Sequence, residues 1–210
     1  DDALLTRGQY LVEGPGHCGS CHTGRGIGFQ EIALSNADSN KYLSGAIIDG
    51  WRAKSIRGEH RGLGTWTVAE LNDFFKTGRT DTTAAFGAMA EVVEHSTQYM
   101  TDYDINAMSS YLKTLTPAPN KEATLPAKKD ITTQKLLDGD YDSRGSILYA
   151  EYCQICHRVD GKGVARIFPA LDGNSAVYSN NADSVLQITL SGGRMPAVSY
   201  THLRAHETCA

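Results

Sequence analysis

Cys18-Gly19-Ser20-Cys21-His22 and Cys153-Gln154-Ile155-Cys156-His157 each place two thiols three residues apart, with an imidazole directly after the second. In a helix, residues at this spacing share a face. Both thiols then reach the vinyl groups on one edge of a porphyrin, and the next residue swings beneath the metal. This is the attachment signature of c-type haem, in which the thiols form thioethers and the imidazole is the proximal iron ligand. A bare C-x-x-C also serves as a redox pair or as half of a zinc site. Zinc ribbons set two such halves about 15–20 residues apart, and Cys21 and Cys153 lie far beyond that reach. A histidine in fifth place of both copies decides for haem. The sequence therefore predicts two covalently attached haem c groups, on Cys18, Cys21 and His22 and on Cys153, Cys156 and His157.

With 210 residues, 40% hydrophobic and 21% charged, the chain has the size and composition of one or two compact domains rather than a fibrous or disordered protein. It contains no apolar run of the length a membrane-spanning helix needs. Its opening, Asp1-Asp2, carries no charged, apolar, small-residue leader and suits a processed protein or a fragment. The formal charge of −4, which haem propionates make more negative, disfavours nucleic acid as a partner.

The elements that must position these motifs are mainly helical. Leu4, Leu5, Leu11 and Val12 predict a short amphipathic helix over Leu4–Glu13, broken by Gly14-Pro15-Gly16. Residues 23–64 read as loop-rich, with many glycines and the aromatics Phe29, Tyr42 and Trp51. Thr67-Val68-Ala69-Glu70 is a capping box opening a helix to Thr77, with Gly78 as its stop and Leu71, Phe74 and Phe75 inward. A last helix from Asp102 to Leu115 carries Ile105, Met108, Leu112 and Leu115 as one apolar stripe, ended by Pro117. Three of the six prolines then fall in a polar stretch, so residues 117–140 are expected to be a linker. Beyond it, Ser143-Arg144-Gly145 echoes Thr6-Arg7-Gly8, and LQITLSGGR (186–194) echoes LNDFFKTGR (71–79). This internal repeat predicts two domains of one architecture, over residues 1–116 and 141–197, each with one haem.

Methionine is the usual distal ligand in electron-carrying cytochromes. Met108 belongs to the apolar stripe and is expected in the core. Met100 stands just before the last helix; Met89, in a loop expected between two helices, is the preferred ligand for the iron at His22. Aligning Arg79 with Arg194 puts Met195 opposite Thr80, so Met195 is not the counterpart of Met89. Phe168-Pro169-Ala170-Leu171 looks like the segment whose backbone carbonyl accepts the proximal histidine's ring proton; the matching place before the first linker is Trp51–Gly58. His17, His60 and His95 are expected at the surface, and Trp51 and Trp66 in packing roles. Residues 198–208, VSYTHLRAHET, resemble a translation of the transposase adapter used in sequencing libraries. On that reading 198–210 is an artefact, His202, His206 and Cys209 are no ligands, and the second domain is incomplete.

YLVEGPGHCGSCHT, YLSGAIIDGW, GLGTW and FGAMAEVVEHSTQYMTDYDI, between Gly8 and Leu115, resemble the second haem domain of the triheme cytochrome c subunit of membrane-bound alcohol, aldehyde or gluconate dehydrogenases. CQICHRVDGKGVARIFPAL and LSGGRMPA resemble its third. The departure is Lys54, where that family usually has proline. The resemblance implies two tandem class I cytochrome c domains, the second incomplete, with a first haem domain missing upstream. It also implies a non-catalytic electron carrier, taking electrons from a quinoprotein or flavoprotein dehydrogenase subunit and passing them to ubiquinone or a terminal oxidase. The site expected is the periplasmic face of the bacterial inner membrane, with membrane association through missing parts or partners. Two rival classes stand beside it: a dihaem peroxidase, which needs one iron without methionine, and a haem-based sensor, which would be joined to a signalling domain.

Overall fold

The computed structural model describes residues 2–119, 131–179 and 181–198. Most of the expected linker, and all of the 198–210 tail except Val198, lie outside the described residues. What is described is mainly helical.

α1 (Asp2–Glu13) ends where Gly14 and Gly16 donate their N–H groups to the carbonyls of Tyr10 (2.9 Å) and Leu11 (2.8 Å). A short turn delivers the chain into α2 (Cys18–His22), the first motif. α3 (Val68–Thr77) carries the anticipated capping box, with Thr67 Oγ1 accepting from the Glu70 N–H at 3.1 Å, and closes on Gly78 at φ 69°. α4 (Ala88–His95) and α5 (Asp102–Thr114) complete this half. The predicted stripe is buried: Ile105, Met108 (3% exposed), Leu112 and Leu115 join Leu11, Val12, Leu71 and Phe75 in one apolar cluster. Phe74 stays half-buried, edge-on to Trp66.

The closest approach is that of α1 and α5. A Cβ on Gly8 would stand 2.0 Å from the Ala107 carbonyl oxygen and 2.8 Å from Tyr111 Cβ. The two backbones touch because position 8 has no side chain. At the outer end, Arg7 pairs with Asp104 at 2.8 Å.

One expectation is refined and one corrected. First, the loop-rich stretch 23–64 also holds two short strands that were not anticipated: β1 (Ala46–Ile48) and β2 (Trp51–Ala53) form an antiparallel hairpin in which Ile48 faces Trp51. Its two-residue turn, Asp49-Gly50, has positive φ at both positions (50° and 77°), as a type I′ turn requires. The Asp-Gly pair was the available signal; the many glycines around it hid the strands. Second, Met89 is not in a loop. It lies in the first turn of α4, which starts there because Gly87 takes φ 57°.

The irregular stretch is held by a buried cation. Arg57, 1% exposed, donates through Nη1 to the Tyr42 carbonyl and Asn36 Oδ1, both at 2.9 Å, and through Nε to the Thr116 carbonyl at 2.9 Å. Burial pulls its pKa down, with Glu59 opposing. No sequence pattern singled it out.

In the second half, α6 (Thr132–Leu137) precedes α7 (Arg144–Leu148), which is capped by Ser143 and runs through a π-helical turn (Tyr149–Cys153) into α8 (Gln154–His157). α9 (Asp183–Ser191) lies further on. This half buries little: Ile155 is 88% and Leu190 81% exposed, and α7 has no buried residue.

The halves meet along a seam. Arg52 N–H donates to Ser184 Oγ at 2.7 Å, Arg61 to the Tyr178 carbonyl at 2.7 Å, Arg79 to the Arg166 carbonyl at 2.6 Å, and Arg166 pairs with Asp73 at 2.9 Å. Gln187 accepts from Trp51 Nε1 at 3.0 Å in the amide orientation that satisfies it.

The repeat pairs Gly8 with Gly145, yet a Cβ on Gly145 would meet only Ser143 Oγ, at 3.8 Å. Gly8→Ala is expected to cost about 2–3 kcal/mol by forcing α1 from α5. Gly145→Ala is expected to be neutral or to stabilise by up to about 1 kcal/mol. Urea unfolding of both variants, followed by circular dichroism, checks the contrast.

Candidate haem sites

Cys18 and Cys21 lie at the first and fourth positions of α2, on one side of a helical turn, and are free thiols, half-buried and exposed respectively. Burial pushes the Cys18 thiol up to about 11, so it remains protonated. His22, the last residue of α2, is held from two directions. Its carbonyl accepts from the Gly45 N–H at 2.6 Å, and its ring Nδ1 lies 2.7 Å from the Lys54 carbonyl. A carbonyl only accepts, so Nδ1 carries the proton and Nε2 keeps the lone pair a metal needs. Burial lowers the His22 pKa and the nearby Lys54 charge adds to this, against the bond to the carbonyl, which raises it. The neutral ring is the ligating form.

The hairpin explains why that carbonyl is in place. Lys54 follows β2 directly. The residues after it are tied down by Leu43, whose N–H donates to Thr23 Oγ1 at 2.9 Å and whose carbonyl accepts from Ser55 Oγ at 3.1 Å and the Ile56 N–H at 3.0 Å. Proline is not needed for this task, since the acceptor belongs to the backbone. The Lys54 ammonium sits 4.5 Å from the centre of the Trp66 ring and 3.3 Å from the Gly62 carbonyl, and burial brings its pKa down to about 8.

Met89 and Met100 are both half-buried and pack, with Cys18, Ile56 and Trp66, against the apolar cluster. Met89 is presented by the first turn of α4. Trp51 sets that turn's position: a Cβ on Gly87 would lie 3.1 Å from its indole, and Phe86 packs at 5.7 Å between ring centroids. Met100 lies between a 3₁₀ turn (Thr97–Tyr99) and α5, its carbonyl taken by Lys76 Nζ at 2.5 Å. Met108 is core, as expected. His17 and His95 are exposed, whereas His60 is half-buried, part of a π-helical turn whose Gly62 and Leu63 are buried.

The second motif repeats the scheme. Cys153 caps α8, and Cys153 and Cys156 are free and half-buried. His157 ends the helix, with ring Nδ1 2.9 Å from the Pro169 carbonyl, the acceptor anticipated in the Phe168–Leu171 segment. The Phe168 ring lies 6.3 Å from the imidazole, edge-on. Gly163, at φ 65°, lets the loop fold back: a Cβ there would stand 2.7 Å from the Pro169 oxygen. Met195 belongs to a segment drawn onto the other half, where Arg194 pairs with Glu94, Pro196 lies against Gly78, and the Ala197 carbonyl accepts from Gln98 at 3.2 Å.

Among the described residues no three His, Cys, Asp or Glu side chains converge on one point. Each motif offers two free thiols and an oriented imidazole, and at the first Cys18 packs against the same apolar cluster as Met89 and Met100. This donor set fits c-type haem.

Residues 143–202 match the cytochrome c family model. That range runs into the tail that begins at Val198. The chain is 43% identical over 202 residues, 94% of its length, to the gluconate 2-dehydrogenase cytochrome c subunit of Pantoea cypripedii. It is 45% identical over 198 residues, 93% of its length, to the cytochrome c subunit of a quinone alcohol dehydrogenase from Gluconacetobacter polyoxogenes. A fructose dehydrogenase cytochrome subunit from Gluconobacter japonicus is 34% identical over 200 residues. The chain spans 46%, 42% and 40% of the lengths of these three relatives.

Two outcomes follow from the first site. If Met89 is the distal ligand, Met89→Ala in the haem-loaded chain is expected to remove the ferric methionine-to-iron band at the red end of the spectrum and to lower one midpoint potential; an intact band would transfer the role to Met100. The folded pKa of Lys54, about 8, lies below its ordinary value of 10.5. Between these values the unfolded chain holds a proton that the folded chain has released, so Lys54 makes stability rise with pH over this window. Lys54→Met abolishes that rise and adds about 1 kcal/mol at neutral pH. Urea unfolding across the window measures both.

Proposed function

We propose that this chain is an electron-transfer segment with two covalently bound haem c groups, one per half, in two tandem class I cytochrome c domains of which the second is incomplete. The observation that carries this reading is the repeated geometry of the proximal histidines. His22 and His157 each follow a C-x-x-C helical turn, and each gives its Nδ1 proton to a backbone carbonyl, from Lys54 and Pro169. Similarity to cytochrome c subunits over most of the chain supports it.

Bound haem supplies a one-electron couple at iron. The chain's residues do the rest. The thiols anchor the ring covalently. Lys54 and Pro169 keep each imidazole in the tautomer with Nε2 free and make it a stronger donor. Met89 would supply the first haem's second ligand, which would favour electron carriage over substrate binding. Residues within 198–210 provide no ligand in this reading. By analogy with the relatives, the chain is a subunit rather than the catalyst: it takes electrons from a quinoprotein or flavoprotein dehydrogenase subunit and passes them towards ubiquinone or a terminal oxidase at the periplasmic face of the inner membrane. It represents the second and third haem domains of a triheme subunit. No helix among the described residues is long and apolar enough to cross a membrane; membrane association through partners or missing parts is part of the same proposal.

Expression with c-type maturation machinery, followed by a pyridine haemochrome assay, should give two haems per chain. Cys153→Ala/Cys156→Ala should give one, and stopped-flow mixing with a substrate-reduced quinoprotein alcohol dehydrogenase should reduce both. A chain that takes up no haem defeats the proposal.

A further inference from the structure

The Pro169 carbonyl and the Ala170 N–H are the two ends of one planar peptide group. The carbonyl end accepts the His157 ring proton at 2.9 Å. The N–H end donates across the seam to the Thr82 carbonyl at 2.8 Å. His157 thus heads a hydrogen-bond chain that leaves the second site and ends in the segment joining α3 to α4. Hydrogen bonds in series polarise one another, so donation from the N–H makes the peptide oxygen a stronger acceptor.

The segment around Thr82 is held still. Thr80, 4% exposed, accepts through Oγ1 from the N–H groups of Thr82 (3.2 Å) and Thr83 (3.0 Å), and its own N–H donates to the Thr83 carbonyl at 2.9 Å. From the facing side, Arg79 grips the Arg166 carbonyl and Arg166 reaches Asp73. Arg79, Thr80, Arg166 and Pro169 line a small, partly open cleft along the seam there. The donor, Ala170, is buried at 6% exposure, whereas Thr82 lies at the surface. The first site has no such link: among the described residues, the N–H of Ser55, which shares a peptide group with the Lys54 carbonyl, makes no bond to the other half.

We infer that Thr82, through the Pro169–Ala170 peptide, is a positioning residue for His157, so that the N-terminal half sets the donor strength of the second site's proximal ligand. The inference rests on the reading of His157 as an iron ligand. A more negative carbonyl draws the Nδ1 proton, enriches Nε2 and favours ferric iron. The stretch that ends in Met89 therefore also supports the second site, and the two sites share one backbone segment.

The test uses the full chain with both haems, labelled with ¹⁵N-histidine. Ala170→Pro removes the N–H, and Ala170→Gly keeps it. Ala170→Pro is expected to move the His157 Nδ1 proton upfield and to raise one midpoint potential, leaving the His22 signal and the other potential in place; Ala170→Gly should leave all four unchanged. An unaltered His157 signal and potential in haem-loaded Ala170→Pro overturn the inference. Should Ala170→Pro not load its second haem, Arg79→Ala decides, with a smaller shift in the same direction supporting the inference and none overturning it. Absence of the second haem from the unsubstituted chain would instead overturn the functional reading on which the inference stands.

Discussion

Both candidate sites depend on one bond, from an imidazole Nδ1–H to a backbone carbonyl. Without it a histidine at the end of a short helix can present either nitrogen and rotate about its side-chain torsions. With it, one tautomer and one ring orientation are selected, and the lone pair of Nε2 is aimed before any metal arrives. The acceptor is a main-chain atom in each case, so its identity is free while its position is not. This is why Lys54 can stand where a proline was expected, provided something else fixes the backbone. At the first site the β-hairpin and the bonds to Leu43 do so. At the second the rigid Pro169 and the fold-back permitted by Gly163 do.

The same position gives Lys54 a conflict. Its carbonyl is needed beneath His22, and its ammonium is carried with it into a poorly solvated place, over Trp66 and near Gly62. Cation–π attraction offsets part of the desolvation. The remaining cost appears as a lowered pKa and acts on His22 in the direction that keeps the imidazole neutral.

The two halves support their motifs differently. In the first, α1 crosses α5 at backbone contact, and the apolar stripe buries itself in a cluster that reaches to the motif. In the second, α7 continues almost directly into the motif through a π-helical turn, with few apolar side chains withdrawn from water. Its order comes from loop-closing hydrogen bonds around His157 and from the seam. That seam is polar and, among the described residues, relies on five arginines, Arg52 through its backbone and Arg61, Arg79, Arg166 and Arg194 through their guanidinium groups. Planar guanidinium groups suit this role, because they satisfy carbonyls directionally in partly dehydrated surroundings.

Much of the chemistry was legible in the residue order alone. Two C-x-x-C-H motifs, the capping box at Thr67, the stripe from Ile105 to Leu115 and the carbonyl segment at Pro169 are local patterns, and their meaning follows from helix periodicity and residue type. The sequence also contained Asp49-Gly50, whose message was masked by neighbouring glycines. What only the tertiary structure decided is whatever joins residues distant along the chain. Gly8 and Gly145 look alike in the repeat, yet only Gly8 lies under another helix. Arg57 resembles any surface arginine until Tyr42, Asn36 and Thr116 close around it. Which carbonyl within Trp51–Gly58 His22 takes, the turn of α4 that carries Met89, and the bond from Ala170 to Thr82 all depend on loop closures that no periodic pattern encodes. Periodicity reports which face of an element is apolar; it does not report which backbone atom arrives opposite that face.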